Sequence, residues 1–433
     1  MCFSRRLLRV LIIAPVIGLA VPAVAQAEPN FPLSLEEAVA LATARSANAE
    51  TSRGSVEAAS QMAVAAGQLP DPVLKYGVNN VPLSGPDQYS VSRDFMTMRS
   101  ISVMQEFTRA DKRRRRSERF EAEAASAEAQ RTVGLASVQR GVASAWLDRW
   151  YAEQTDALLS HHGSPFELEL QAATAAYRSG RGSRADVLAA EMEIQKLQDR
   201  RDENQAAIDA AKANLERWIG PAGNRPLSER PPIVVPPRIQ RLGQADMDAV
   251  PELQAAQRDV ALAEADVRVA TEARKPDVSV ELMYSQRGPA YANMASINVS
   301  FPLPWDRANR QDREVAAKLA SAEEARAKSE VMARTTRAEI AAKLAELQRN
   351  LVRLQRYDEK MLPLAKAQVD AALTAYRTNS GPLLAVAQAN HRVIDTSVER
   401  LTLEARTAKL WSELAYLIPL PTAQSGIDAK EFK

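Results

Sequence analysis

The chain has 433 residues, of which 46% are hydrophobic, 25% charged and 5% aromatic, and its formal charge is +2. So even a balance excludes bulk attraction to nucleic acid, and a single cysteine, Cys2, excludes a disulfide framework and paired-thiol chemistry. Alanine-rich runs such as EAEAASAEAQ and KLASAEEARA are the make-up of long, closely packed helices.

The first segment reads as an export signal. Arg5, Arg6 and Arg9 precede an uncharged apolar run from Val10 to Val21, and Ala25-Gln26-Ala27 offers the small-x-small pattern a signal peptidase needs. Residues 1–27 are expected to be removed, which takes away three arginines and leaves a charge of −1. Cys2 lies ahead of the apolar run and not at the cleavage site, so it is not placed to carry a lipid. No later stretch supplies about 18 consecutive apolar residues, and no membrane-spanning helix is expected.

Ser34-Leu35-Glu36-Glu37 is a capping box, in which serine and glutamate satisfy free amides at a helix start. Helical periodicity follows to about Gln68 and stops at Pro70-Asp71, because proline has no amide to donate and its φ is fixed. The period then changes from 3.6 to 2. Leu74, Tyr76 and Val78 alternate with Lys75, Gly77 and Asn79, and a return strand carries Ile101 and Val103 between Ser100, Ser102 and Met104. The basic run Lys112 to Arg116 follows, as the expected water-facing end of the strands. From about Asp111 to His162 the pattern is helical. Pro165 interrupts it, and a short continuation reaches AAYRSGRGS before a helix of about thirty-five residues turns back.

That plan is written twice. A shift of 199 positions aligns 171–220 with 370–419 without a gap, placing Tyr177-Arg178 on Tyr376-Arg377, Gly182 on Gly381, Val187 on Val386 and Leu215 on Leu414. The second copy begins near Asp246, ends its first helix before Pro276-Asp277, and has strands at Val278 to Tyr284 and Ile297 to Phe301. It runs helically from about Arg307 to Leu362 and is broken at Pro363. The copies are placed at 28–236 and 237–420, with a tail at 421–433. The returning helices carry a heptad: eight of ten positions from Val187 to Trp218 are apolar, as are seven of ten counterparts, so they are expected to pack side by side.

Four amphipathic strands of about 8 to 11 residues can cross a bilayer but cannot close a barrel, because the smallest membrane barrels use about eight. An open edge in lipid leaves amides unpaired at several kcal/mol each, so other chains must complete the sheet.

The opening PLSLEEAVALATARSANAE, the Pro-Asp pairs before the strands, the doubled Tyr-Arg-(Ser/Thr)-(Gly/Asn)-x-Gly turn with Asp-Val-Leu after the first, and the terminal helices resemble the TolC-type outer-membrane efflux family over essentially the whole mature chain. The stretch NVPLSGPDQYSVSRDFMTMRSISVMQEF is more similar to the heavy-metal, CzcC-like branch than to the drug branch. The resemblance implies a mainly α chain with a membrane β-barrel part: a homotrimer with a twelve-stranded barrel in the outer membrane and a long coiled-coil α-helical barrel in the periplasm. It implies a passive exit duct for heavy-metal cations, joined to a periplasmic adaptor (membrane fusion) protein and an inner-membrane transporter of the RND type, with no cofactor. Drug efflux, type I protein secretion and a periplasmic coiled-coil scaffold are the alternatives.

In that family the hairpin tips narrow to an iris and receive the adaptor. The matching positions are Tyr177, Gly180, Gly182 and Asp186, then Tyr376 and Gly381, with Arg178 and Arg377 beside them. The plain alternative is that these residues cap and stiffen two turns. Ala385 replaces the acid expected after the second turn, and Asn379 stands where the first copy has Gly180. Tyr76, Phe107, Tyr284, Phe301 and Trp305 lie in or beside strands, as an aromatic belt or as strand-to-helix packing. Met96, Met98 and Met104 read as space-filling, and His161-His162 with Glu167 and Glu169 as a polar joint. No nucleophile elbow, phosphate loop or zinc-protease motif occurs, so no enzyme is expected.

Overall fold

The structure, a computed structural model, describes residues 31–161, 163–234, 237, 239, 247–378 and 380–420, with the backbone alone at 47–52 and 163–165. The expected signal, the C-terminal tail, His162, Asn379 and the start of the second copy near Asp246 lie outside the described residues.

The first half runs α1 (Leu35–Arg45), α2 (Ala47–Ala66), β1 (Val73–Asn79), β2 (Met98–Phe107), α3 (Ala110–His161), α4 (Gly163–Arg178) and α5 (Arg184–Ile219). The second runs α6 (Pro251–Ala273), β3 (Val278–Gln286), β4 (Met294–Ser300), α7 (Gln311–Arg356), α8 (Leu362–Arg377) and α9 (Leu383–Ala415). This is the mainly α chain with four strands that the periodicities predict. Ser34 Oγ accepts from the Glu37 amide at 3.0 Å, as the capping box requires.

Three details differ from the sequence reading. The first helix is two helices, because Ser46 takes an extended conformation (φ −62°, ψ 108°) between α1 and α2. Two strands are shorter than expected, at 7 residues each: Asn80 turns into the left-handed region (φ 56°) after β1, and Pro302 and Pro304, which lack ladder donors, follow β4. Pro363 does not break its helix. A π turn, Tyr357–Met361, absorbs it, with the Leu362 amide donating to the Tyr357 carbonyl.

The four strands form one antiparallel sheet in the order β1-β2-β3-β4, so the two strand pairs meet at β2 and β3, and β1 and β4 are the edges. At 52 residues α3 is on the order of 80 Å long. It packs against α1, α2, α5 and α6. The main core gathers Leu35, Val39, Val142, Trp146, Leu147, Leu215 and Ile219. Fully buried Trp146 donates its indole N–H to the Leu33 carbonyl at 3.1 Å, and the Leu33 amide in turn donates to Pro226 at 2.7 Å. The heptad positions Ala190, Ile208, Ala211 and Leu215 of α5, and Val386, Ala389, Val393, Leu403, Leu410 and Leu414 of α9, are buried. The polar breaks in the heptad make cross-helix contacts: Asn204 Nδ2 donates to the Ala152 carbonyl at 3.0 Å, Arg201 lies 3.7 Å from Asp156, and Arg400 pairs with Asp358 at 2.6 Å.

Candidate functional site

The sheet register assembles three of the five candidate aromatic residues, Tyr76, Phe107 and Tyr284, into one face. Opposed residues of neighbouring strands share a side, which gives the rows Tyr76–Ile101–Tyr284–Ala295, Leu74–Val103–Leu282–Ile297, Gln105–Val280–Val299 and Phe107–Val278. The large side chains of this face are exposed, with Tyr76 at 78% and Ile297 at 71%. The seven residues from Ile101 to Phe107 span about 20 Å along β2. Phe301 and Trp305 lie beyond the end of β4, both exposed.

The opposite face is polar. Its rows are Lys75–Ser102–Met283–Ser296, Gly77–Ser100–Ser285–Met294, Val73–Met104–Glu281–Asn298 and Glu106–Ser279–Ser300. Glu281 accepts from Ser102 Oγ at 2.7 Å and from Lys75 Nζ at 3.2 Å, and Asn79 Nδ2 donates to Ser100 Oγ at 2.8 Å. Ser100, Ser102 and Ser285 are buried while the apolar face is exposed. Among the described residues nothing covers the apolar face, whereas a water-soluble sheet packs its apolar face into a core.

The basic run opens α3 at the helical end of the sheet. Lys112 Nζ is 2.8 Å from Asp277, just before β3. Arg113 donates to the Gly67 carbonyl at 3.1 Å, and Arg115 pairs with Glu118 at 2.7 Å. The run therefore ties the strand feet to α2 and α3.

At the first tip, α4 ends in a Schellman motif. Gly180 has φ +72°, the Arg181 amide donates to the Ala176 carbonyl at 2.9 Å and the Gly180 amide to Tyr177 at 3.0 Å. A Cβ on Gly182 would lie 3.0 Å from Ala176 Cβ, and one on Gly381 3.0 Å from Ala375 Cβ, so both turns need glycine for close approach. The second tip repeats the long bond, from the Ser380 amide to the Ala375 carbonyl at 2.8 Å.

The return helices start differently. Ser183 caps α5: Asp186 N donates to Ser183 Oγ at 3.2 Å, while Ser183 N and Oγ donate to Asp186 Oδ2 at 2.9 and 2.8 Å. The Ser183 amide, then its hydroxyl, hold the Asp186 carboxyl below its ordinary range. The second helix has no side-chain cap; Pro382 (φ −76°) stands there. Tyr177, Arg178, Tyr376 and Arg377 are exposed in the last turns of α4 and α8. The cap was readable as Ser-x-x-Asp before a helix. The contact between Glu193 of α5 and His391 of α9, 3.4 Å apart, was not readable.

The methionines do not converge: Met98 and Met104 are about 20 Å apart along β2. Among the described residues no group of three His, Cys, Asp or Glu is arranged to hold a metal ion. No helix among them is long and apolar enough to cross a membrane.

No family model matches the chain. No curated protein matches it in sequence. Solved structures do match. The outer-membrane channel OprN aligns at TM-score 0.73 and 18% identity over 89% of each chain. The outer membrane protein VceC from Vibrio cholerae aligns at 0.73 and 17%, over 90% of this chain and 96% of its own. CusC, described for its transmembrane channel formation, aligns at 0.74 and 14% over 88% and 91%. The chain has the fold of these outer-membrane channels. In the channel fold, the strands and long helices described above are shared over nearly the full length of each neighbour.

Proposed function

We propose that the protein is a TolC-type outer-membrane channel, the passive exit duct of a tripartite efflux pump. The observation that carries this reading is the uncovered apolar face of the sheet. An exposed apolar face suits lipid, a serine-rich face opposite it suits water, and four strands with two edges suit a barrel closed by other copies of the chain. Three copies would give twelve strands. The helical hairpins would then form the periplasmic tube and meet an adaptor and an inner-membrane transporter of the RND type. Residues 1–27 would be the export signal, and 28–236 and 237–420 the two structural repeats.

The five aromatic side chains, Tyr76, Phe107, Tyr284, Phe301 and Trp305, would sit at the membrane boundaries. The tips would be the gate and docking surface, with Tyr177, Arg178, Tyr376 and Arg377 presented by turns that Gly180, Gly182, Gly381 and Asp186 shape. The adaptor would open the gate by binding the open state more tightly. Heavy-metal cations are the proposed cargo, on the resemblance of the β1–β2 stretch to the CzcC-like branch.

Extraction and mass test the reading. The mature protein should need detergent, run as a trimer and form pores in planar bilayers; a detergent-free monomer without pores would overturn it. Deletion of the gene should lower tolerance to zinc, cadmium, cobalt or copper in a strain without a duplicate duct. Unchanged metal tolerance with lowered drug tolerance would reassign the cargo.

A further inference from the structure

The polar face of the sheet holds a group that the channel reading leaves unused. Lys75 of β1, Ser102 and Met104 of β2, and Glu281 and Met283 of β3 share this face, and the register sets Met104 directly opposite Glu281. Lys75 Nζ donates to Glu281 Oε1 at 3.2 Å and lies 3.7 Å from the Met104 sulfur. Ser102 Oγ donates to the same carboxylate oxygen at 2.7 Å. One positive charge is thus held between a carboxylate and a thioether. Sulfur is a weak acceptor for an ammonium, but thioethers select soft ions such as monovalent copper. Met283 brings a second sulfur to the same place: it is the diagonal neighbour of Met104, and diagonal neighbours, about 7–8 Å apart, lie within reach of long side chains. Met98 is excluded, because it stands about 20 Å from Met104 along β2.

We propose that Met104, Met283 and Glu281 form a binding site for a soft monovalent metal cation, in which the Lys75 ammonium is a tethered stand-in that the ion displaces. Charge and exposure set the exchange. Glu281 balances one positive charge, so an arriving monovalent ion and the ammonium compete for the same carboxylate. The Lys75 side chain is 49% exposed against 21% for that of Glu281, and it can swing into water without breaking a core. Zinc takes several nitrogen, thiolate or carboxylate ligands and would find a single carboxylate here. As a step in conduction the site rests on the channel reading and narrows the heavy-metal cargo to soft monovalent ions; as a binding site it rests on the register alone.

Equilibrium dialysis of the purified mature protein in detergent against Ag(I), in chloride-free buffer, tests the site. Lys75→Ala removes the competing ammonium and should bind Ag(I) about tenfold more tightly than wild type, the scale on which groups beside a metal site tune affinity. Met104→Leu, a swap that nearly conserves volume, should abolish that gain when added to Lys75→Ala, whereas Met98→Leu should leave it intact. Zn(II) affinity should be the same in wild type and Lys75→Ala. Equal Ag(I) affinity in wild type and Lys75→Ala, or a gain that survives Met104→Leu, would overturn the site. A protein that gains Ag(I) affinity through Met104 but forms no pore in planar bilayers would keep the site and sink the channel; a pore-forming protein without the gain would do the reverse.

Discussion

At the scale of single residues, the two tips achieve the same reversal with different chemistry. Gly180 accepts a left-handed φ that an alanine would resist, so Gly180→Ala should destabilise the first hairpin by about 1 kcal/mol. Ser183→Ala should cost about 1 kcal/mol by removing an N-cap, whereas Pro382→Ala removes no side-chain cap and should cost less. Urea titration of the purified protein measures all three. The Asp186 carboxyl has a depressed pKa; its capping contribution is therefore present above 3.8, the ordinary value, and is lost as pH falls through the lower one. The Tyr177 hydroxyl makes no hydrogen bond among the described residues, so Tyr177→Phe should leave the melting temperature unchanged. Raised single-channel conductance in that variant would place its hydroxyl in the gate; wild-type conductance would return it to turn structure.

Among elements, the junction of sheet and helices depends on one enclosed ion pair. The side chains of Lys112 and Asp277 are 9% and 17% exposed. Removing one partner of such a pair leaves a charge without compensation, and Lys112→Ala should destabilise the protein by about 3 kcal/mol. Arg116 in the same run is exposed and has no ion-pair partner among the described residues, so Arg116→Ala should change stability by less than about 0.5 kcal/mol. Comparable losses in both variants would show that the run acts through bulk charge. The heptads of α5 and α9 show the same division: buried apolar positions pack each helix on α3, while Asn204 and Arg201 bond to α3 and Arg400 to the π turn.

For the whole molecule, the decisive property is which face of the sheet meets lipid. Leu282 stands in the middle of the exposed apolar face and Ser102 on the polar one. Leu282→Arg should lower membrane assembly by about 2–4 kcal/mol, the usual effect of arginine at a barrel's midplane. Ser102→Asn, on the water-facing side, should assemble normally and alter conductance instead. Heat-stable trimers on a gel, scored for both variants, test this. Equal assembly would mean that the apolar face does not meet lipid.

Much of the architecture was legible along the chain because periodicity is a local property. The change of period after each Pro-Asp pair located the strands, the capping box at Ser34 located α1, and the repeat at 199 residues ordered the halves. Local features also misled where backbone adaptation was inexpensive: Ser46 ended a helix that looked continuous, and a π turn carried the chain past Pro363. The sequence by itself determined that each strand has an apolar and a polar side, since side chains alternate about the backbone. Only tertiary structure decided that no other element covers the apolar side, and that Glu193 and His391 meet, because both depend on hydrogen-bond register and helix packing between residues as much as about two hundred positions apart.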